Sequence, residues 1–233
     1  MRSGIITQSN RSILSFSDPS VVMSVRSSQR RKSRASSTGG PTTMKASFVV
    51  NPALKGAAGV ESVETDVLLL CTVAGTELGP TTRAVDLSLN GLITRKLQTK
   101  KNGFTGEVGQ LISIAPKGAP AKRISIVGLG EMGTLQPRNL CKAIHTTVED
   151  ALKRNASRLS IPVAANSMSQ IKLKGQAKII REVVESLLAS AAYRDKEGEF
   201  EVELVCTPQA AHLIQQGLDI EPNLDSVCCL DDE

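Results

Sequence analysis

The sequence is poor in aromatic residues: among its 233 residues it has four Phe, one Tyr and no Trp. A core must therefore be built from Val, Ile, Leu and Ala. Aromatic side chains on which bases could stack are scarce, which argues against a nucleic-acid groove of the stacking type. No apolar run approaches the roughly 20 residues of a transmembrane helix. The longest run, residues 67–71, has the length of a strand.

The residue types that hold metals are also few and scattered. Two histidines, His145 and His212, lie far apart in the sequence. The acidic residues are dispersed or gathered in a tail, so no clustered carboxylates indicate a paired-metal site. We therefore predict no catalytic residue, no metal site and no cofactor.

The five cysteines are an odd number without a C-x-x-C pair, which fits an intracellular protein. Cys71, Cys141 and Cys206 lie in apolar segments and are predicted to be buried small hydrophobic residues. Cys228 and Cys229 lie in an acidic tail. There we expect an exposed pair with no role, and a redox-sensitive or acylated pair is the alternative.

Positive charge is concentrated in the first 43 residues, which hold seven Arg or Lys, twelve Ser and the single acid Asp18. Such a segment buries too little apolar surface to offset its chain entropy, so we expect it to be disordered. Arg- and Ser-rich, acid-poor N-termini are typical of organelle transit peptides. The serine excess favours a plastid over a mitochondrion, and a cytoplasmic protein with a basic tail is the alternative. The rest of the chain has a net charge of −1, which argues against nucleic-acid binding.

Strands and helices alternate from residue 44 onward. The pattern predicts strands at residues 45–51, 65–73, 110–115, 122–127, 158–164 and 199–206, and helices at 80–96, 137–155, 176–191 and 208–216, the last ended by Gly217. The second strand is apolar throughout, as expected of a strand buried on both faces. A short Pro- and Gly-containing connection predicts that the third and fourth strands form a hairpin. This order predicts an α/β domain over residues 44–218, with a mixed sheet of about six strands, a leader at 1–43 and an acidic tail at 219–233.

The segment RISIVGLGEMG, from Arg123 to Gly133, contains the G-x-G-x-x-G spacing of dinucleotide-binding turns. In such a site the next helix begins inside the motif, and an acid ends the next strand. Here the helix is predicted to begin near Pro137, and the next strand ends without an acid. We therefore interpret residues 128–133 as the exit turn of a buried strand. Gly128, Gly130 and Gly133, with the loop at 103–109, are kept only as candidates for a ligand-binding loop.

Three features taken together resemble the N-terminal domain of the cytosol aminopeptidase (leucine aminopeptidase) family. They are an apolar strand after a Thr-Asp pair, a loop of the form F-x-G-x-x-G-Q, and a Lys-Arg strand ending in VGLG. In this chain they are Thr65-Asp66, Phe104 with Gly106, Gly109 and Gln110, and Lys122 through Gly130. The resemblance covers roughly residues 65–165. It implies a three-layer, macro-domain-like α/β/α sandwich and places the di-metal catalytic site in a separate domain, to which no segment here is similar.

We therefore expect a non-catalytic structural, assembly or regulatory protein that acts through protein–protein contacts. Its partner would be a second copy, an aminopeptidase subunit or a larger complex, with no nucleic acid and no membrane span. Two alternatives stay open: a small-molecule binding module of the nucleotide or ADP-ribose type, and a fragment of an active metal-dependent leucyl aminopeptidase.

Overall fold

The computed structural model of the protein describes residues 43–55, 58–99, 103–132, 136–163 and 171–223. The strands are β1 (Lys45–Asn51), β2 (Thr65–Ala74), β3 (Leu111–Ile114), β4 (Ala121–Glu131), β5 (Arg158–Pro162) and β6 (Glu199–Val205). The helices are α1 (Pro80–Ser88), α2 (Leu92–Leu97), α3 (Pro137–Lys153), α4 (Leu173–Ala189) and α5 (Pro208–Leu218), with a 3-10 turn at Val60–Ser62. Nearly all of the predicted leader, together with Gly133, Cys228 and Cys229, lies outside the described residues.

The six strands form one sheet in the order β1–β6–β5–β2–β4–β3. β3 runs antiparallel to β4, and the other neighbouring pairs are parallel. The predicted mixed sheet is confirmed, and the predicted hairpin forms its antiparallel edge.

Alternate residues of β2 pack on opposite faces of this sheet. Val67 and Leu69 belong to a cluster that includes α3, α4 and α5 and counts 27 buried residues among those described, on what we call the back face. Leu68 and Leu70 belong to a cluster of 12 buried residues that includes α1 and α2, on the front face. The central strand is therefore covered on both sides, as its unbroken apolar run predicts, and the fold has three layers. None of the described helices is long and apolar enough to cross a membrane.

The single helix predicted after β2 is in fact two helices. Asn90 and Gly91 adopt left-handed φ angles of 53° and 76°, which end α1 and redirect the chain. The buried carboxylate of Asp86 then accepts hydrogen bonds from the backbone N–H groups of Ile93 and Thr94, at 2.7 and 3.1 Å. Asp86 thus caps α2 from the preceding helix, a contact that apolar periodicity does not reveal.

Glycines predicted to end two elements lie inside them. Gly128 and Gly130, interpreted as an exit turn, belong to β4, which continues to Glu131. Gly217, predicted to end the last helix, lies within α5. A Cβ at this position would be 2.3 Å from the carbonyl oxygen of Lys174, so glycine here allows α5 to approach α4 closely. The other elements begin and end near their predicted positions.

Candidate functional site

The carboxyl ends of β2 and β4 are the place where this topology would hold a small ligand. β2 leads into α1 on the front face, whereas β4 leads into α3 on the back face. Connections that leave neighbouring parallel strands in opposite directions open a crevice, and open α/β sheets bind ligands in such a crevice. The first two glycines of the G-x-G-x-x-G motif lie at this end of the sheet.

A loop of residues 103–110, called here the closing loop, packs into this crevice. A Cβ at Gly106 would be 2.9 Å from the Cα of Ala74 at the end of β2. A Cβ at Gly128 would be 2.1 Å from the carbonyl oxygen of Glu107. Backbone therefore lies directly against backbone at both positions, which only glycine permits.

The N–H groups of the first two glycines of the motif are used within the chain. The N–H of Gly128 donates to the carbonyl of Gln110 at 2.9 Å, and the N–H of Gly130 donates to the carbonyl of Gly106 at 3.0 Å. A bound phosphate would need N–H groups that point at it, and these two point at the closing loop. Gly133 lies outside the described residues, so the three-glycine ligand loop stays a prediction.

The side chain of Gln110 holds the closing loop in shape. Its Oε1 accepts hydrogen bonds from the N–H groups of Thr105 and Gly106, at 2.7 and 2.9 Å, and its Nε2 donates to the carbonyl of Gly103 at 2.7 Å. Phe104 packs against the front cluster. The F-x-G-x-x-G-Q spacing thus specifies a self-supporting loop, a role that was missed in the sequence because it depends on contacts with the distant strands β2 and β4.

A polar cluster lies at the opposite end of the sheet, where the parallel strands begin. The Oδ1 of Asp66 accepts a hydrogen bond from the Nζ of Lys122 at 2.6 Å, and its Oδ2 accepts from the N–H and the hydroxyl of Ser157, both at 2.8 Å, and from the N–H of Arg158 at 3.1 Å. The Lys122 ammonium, with the Ser157 and Arg158 donors, holds the pKa of Asp66 well below its usual range despite the opposing effect of burial. This carboxylate ties together the starts of β2, β4 and β5. The Thr-Asp pair was identified in the sequence only as a resemblance, and its structural role was missed.

An open cavity of about 520 Å³ adjoins Asp66 and is lined by further charged residues, among them Glu64, Glu199 and Glu201. Glu201 pairs with Arg158 at 2.6 Å. Both cations of the cavity, Lys122 and Arg158, are thus already engaged by carboxylates of the chain. The arrangement serves as a solvated set of ion pairs rather than as a preformed anion site.

The cysteines and histidines assemble no reactive centre within the described part of the chain. Cys141 and Cys206 are buried, as predicted, whereas Cys71, also predicted to be buried, is only partly buried. Desolvation raises the pKa of the Cys71 thiol to about 12, which disfavours the reactive thiolate at neutral pH. His145 lies on α3 and His212 on α5. No group of three or more His, Cys, Asp or Glu in the described ranges is arranged to hold a metal ion.

Solved structures of two kinds are similar to this chain. The Oceanobacillus iheyensis macrodomain with MES bound is 15% identical, with a TM-score of 0.56 over 74% of this chain and 89% of that chain. The Trypanosoma brucei macrodomain in complex with ADP is 14% identical, with a TM-score of 0.56 over 74% of this chain and 68% of that chain. A mutant of tomato leucine aminopeptidase is 16% identical, with a TM-score of 0.51 over 78% of this chain and 36% of that chain. No curated protein sequence matches the chain.

Likeness at these identities establishes the macrodomain-like fold, and a sequence match establishes the family. The sequence profile of the cytosol aminopeptidase family, N-terminal domain, matches residues 68–197, which is more than half of the chain. The match begins within β2, includes the closing loop and β4, and ends just before β6. The predicted resemblance is confirmed, and the chain belongs to the cytosol aminopeptidase family through its N-terminal domain.

Proposed function

We propose that this protein is a non-catalytic structural, assembly or regulatory protein that acts through protein–protein contacts. The observation that carries the proposal is the closed crevice between β2 and β4. The closing loop occupies the position where such a sheet would hold a small ligand, and it uses the N–H groups of Gly128 and Gly130. Function then resides on the outer surface of the domain.

The family assignment supports the same proposal. The matching profile is that of the N-terminal domain, and the described residues hold no cluster of metal ligands. Partners in keeping with this origin are a second copy of the chain, an aminopeptidase subunit or a larger complex. A fragment of an active leucyl aminopeptidase is the competing proposal, and hydrolysis of a leucyl substrate by the pure chain with added Mn²⁺ or Zn²⁺ would support it.

The proposal is tested by isolating the full chain from its native source after chemical cross-linking. Mass spectrometry then identifies the cross-linked partners, and light scattering of the purified chain measures its oligomeric state. We expect a defined homo- or hetero-oligomer. A strictly monomeric chain without a cross-linked partner contradicts the proposal.

The closed crevice also separates this proposal from a nucleotide-binding role. One of the similar macrodomains was solved in complex with ADP. We expect isothermal calorimetry of this chain with ADP and with ADP-ribose to give no binding heat at millimolar ligand. Saturable heat with either ligand would instead support the small-molecule binding module.

We further propose that residues 1–43 direct the protein to an organelle, with a plastid favoured over a mitochondrion. The support is compositional: the segment is rich in Arg and Ser and contains one acid. A fluorescent protein fused behind residues 1–43 should enter plastids, and the same fusion with its seven basic residues changed to Gln should stay in the cytoplasm. Cytoplasmic fluorescence of both fusions would contradict the proposal.

A further inference from the structure

The outer edge of β3 offers backbone groups for pairing with another strand. Among the described residues, no strand pairs with this side of β3. The N–H of Gly128 donates to the carbonyl of Gln110, and hydrogen-bonded residues alternate along an antiparallel pair. The backbone N–H and C=O groups of Leu111 and Ser113 therefore point away from β4. Unpaired edge groups of this kind are a template for strand addition.

A groove lined by both aliphatic and polar groups runs beside this edge on the front face. It has a volume of about 400 Å³ and is lined by Leu92 and Lys96 of α2, by Ile112, Ser113 and Ile114 of β3, and by Ala115. Because successive side chains of a strand point to opposite faces, a strand added to β3 would place every second side chain in this groove. Apolar side chains there would contact Leu92, Ile112 and Ile114.

One cationic side chain lies on the other side of the edge. The guanidinium of Arg123, on the back face, donates to the hydroxyl of Ser113 at 3.3 Å and forms no ion pair with the described carboxylates. Carboxylates that alternate with apolar side chains would therefore reach Arg123, and a charge-assisted bond to a guanidinium is among the stronger polar contacts.

We infer that the edge of β3 binds an extended segment of a partner protein in which acidic and apolar side chains alternate. The segment adds a strand to the sheet, with its apolar side chains in the groove beside α2 and its carboxylates facing Arg123. This inference rests on the proposed function and specifies the surface and the chemistry of its partner. A single-stranded nucleic acid fits less well, because the groove is lined by aliphatic rather than stacking side chains.

The binding test uses the full chain and a blocked, fluorescently labelled peptide of alternating valine and glutamate. Anisotropy should show saturable binding, and hydrogen exchange should show that the amides of Leu111 and Ser113 become protected. A valine–lysine peptide, the glutamate peptide N-methylated at every second residue, and oligo-dT should not bind. Equal binding of any of these three, or binding without protection of the two amides, overturns the inference.

Two substitutions locate the contacts on the protein. Arg123→Gln should weaken peptide binding roughly tenfold or more, which corresponds to the loss of one charge-assisted hydrogen bond. Arg83→Gln, a matched loss of charge on α1, should leave the affinity unchanged. Ser113→Pro should abolish binding because it removes an outward N–H without breaking a bond to β4, whereas Ser113→Ala keeps the N–H and should still bind. An Arg123→Gln variant with unchanged affinity overturns the inference even if Ser113→Pro does not fold.

The cross-linking experiment distinguishes failure of this inference from failure of the proposed function. If cross-linking finds a partner whose contacts lie away from β3 and α2, the proposed function stands and this inference is wrong. If cross-linking finds no partner, the proposed function fails, while the peptide measurements still test the β3 edge independently.

Discussion

Among single side chains, Asp66 joins three strands through one carboxylate that is 19% exposed. Asp66→Asn keeps the shape of the side chain but loses the ion pair with Lys122 and turns one acceptor into a donor. We expect the free energy of unfolding at pH 7 to fall by about 1–3 kcal/mol, as measured by urea denaturation. Glu64→Gln, an exposed neighbour of the same charge, is the control and should change it by less than about 0.5 kcal/mol.

Because of the same carboxylate, the free energy of unfolding depends on pH. Its pKa in the folded protein lies below the unfolded value of about 3.9, so the unfolded chain binds a proton at a pH where folded Asp66 stays ionised. The contribution is therefore complete above about pH 5 and is lost as the pH falls toward the folded pKa. The stability difference between the wild type and Asp66→Asn should be full at pH 7 and smaller at pH 3. Equal differences at both pH values would show that ionisation of Asp66 is not its source.

A substitution at Gly128 tests directly whether the closing loop packs into the crevice. A Cβ at this position would overlap the carbonyl oxygen of Glu107, and the contact cannot be relieved by turning a side chain. Gly128→Ala should lower the free energy of unfolding by about 1–3 kcal/mol or more and increase hydrogen exchange at Gly106 and Gln110. The matched control is Gly79→Ala, since nothing lies within 4 Å of a Cβ there and its φ is −58°. A Gly128→Ala variant as stable as this control would contradict the packing described here.

At the scale of elements, the joint between α1 and α2 depends on Asp86. Its buried carboxylate accepts bonds from two N–H groups at the start of α2 and from the hydroxyl of Thr94. Asp86→Ala should lower the free energy of unfolding by about 1–3 kcal/mol and speed hydrogen exchange at Ile93 and Thr94. Arg83→Ala, an exposed change on the same helix, should do neither. Unchanged exchange at Ile93 would mean that α2 does not need this cap.

How far the sequence predicts an element depends on the range of the interactions that define it. The strand β2 and the helix α3 follow from apolar runs and periods within the segment itself, so both were predicted near their observed bounds. The break at Asn90 is accompanied by a side-chain cap from Asp86 within the same segment, and the continuation of β4 through Gly128 depends on the closing loop. The apolar periodicity of the sequence indicates neither contact.

In the candidate site too, the sequence predicts the local features but not the contacts between distant segments. Sequence spacing drew attention to the glycines of β4 and to the F-x-G-x-x-G-Q loop, and it indicated that a dinucleotide site was disfavoured because the helix starts late. It did not indicate that the two segments bind one another, with Gly106 against Ala74 and Gly128 against Glu107. Glycine spacing alone does not distinguish a phosphate-binding turn from two backbone segments in close contact.

At the scale of the whole molecule, the two faces of the sheet differ in the amount of core they carry. Within the described ranges, the back cluster has 27 buried residues and the front cluster has 12. Regions with fewer buried apolar contacts open at lower free energy than the global unfolding transition. We therefore expect native-state hydrogen exchange in low urea to show that the amides of α1 and α2 open together before those of α3 and α4.

A matched pair of conservative substitutions tests whether this front layer opens by itself. Ile93 and Ile144 are both fully buried, one in each cluster, and Ile→Val at either position should cost about 0.5–1.5 kcal/mol. If the front layer opens alone, Ile144→Val lowers the protection of α3 and α4 but leaves that of α1 and α2 unchanged, because the back cluster stays packed in the open form. Ile93→Val should lower both, since global unfolding also releases Ile93. A fall in α1 and α2 protection with Ile144→Val would mean that the three layers unfold as one cooperative unit.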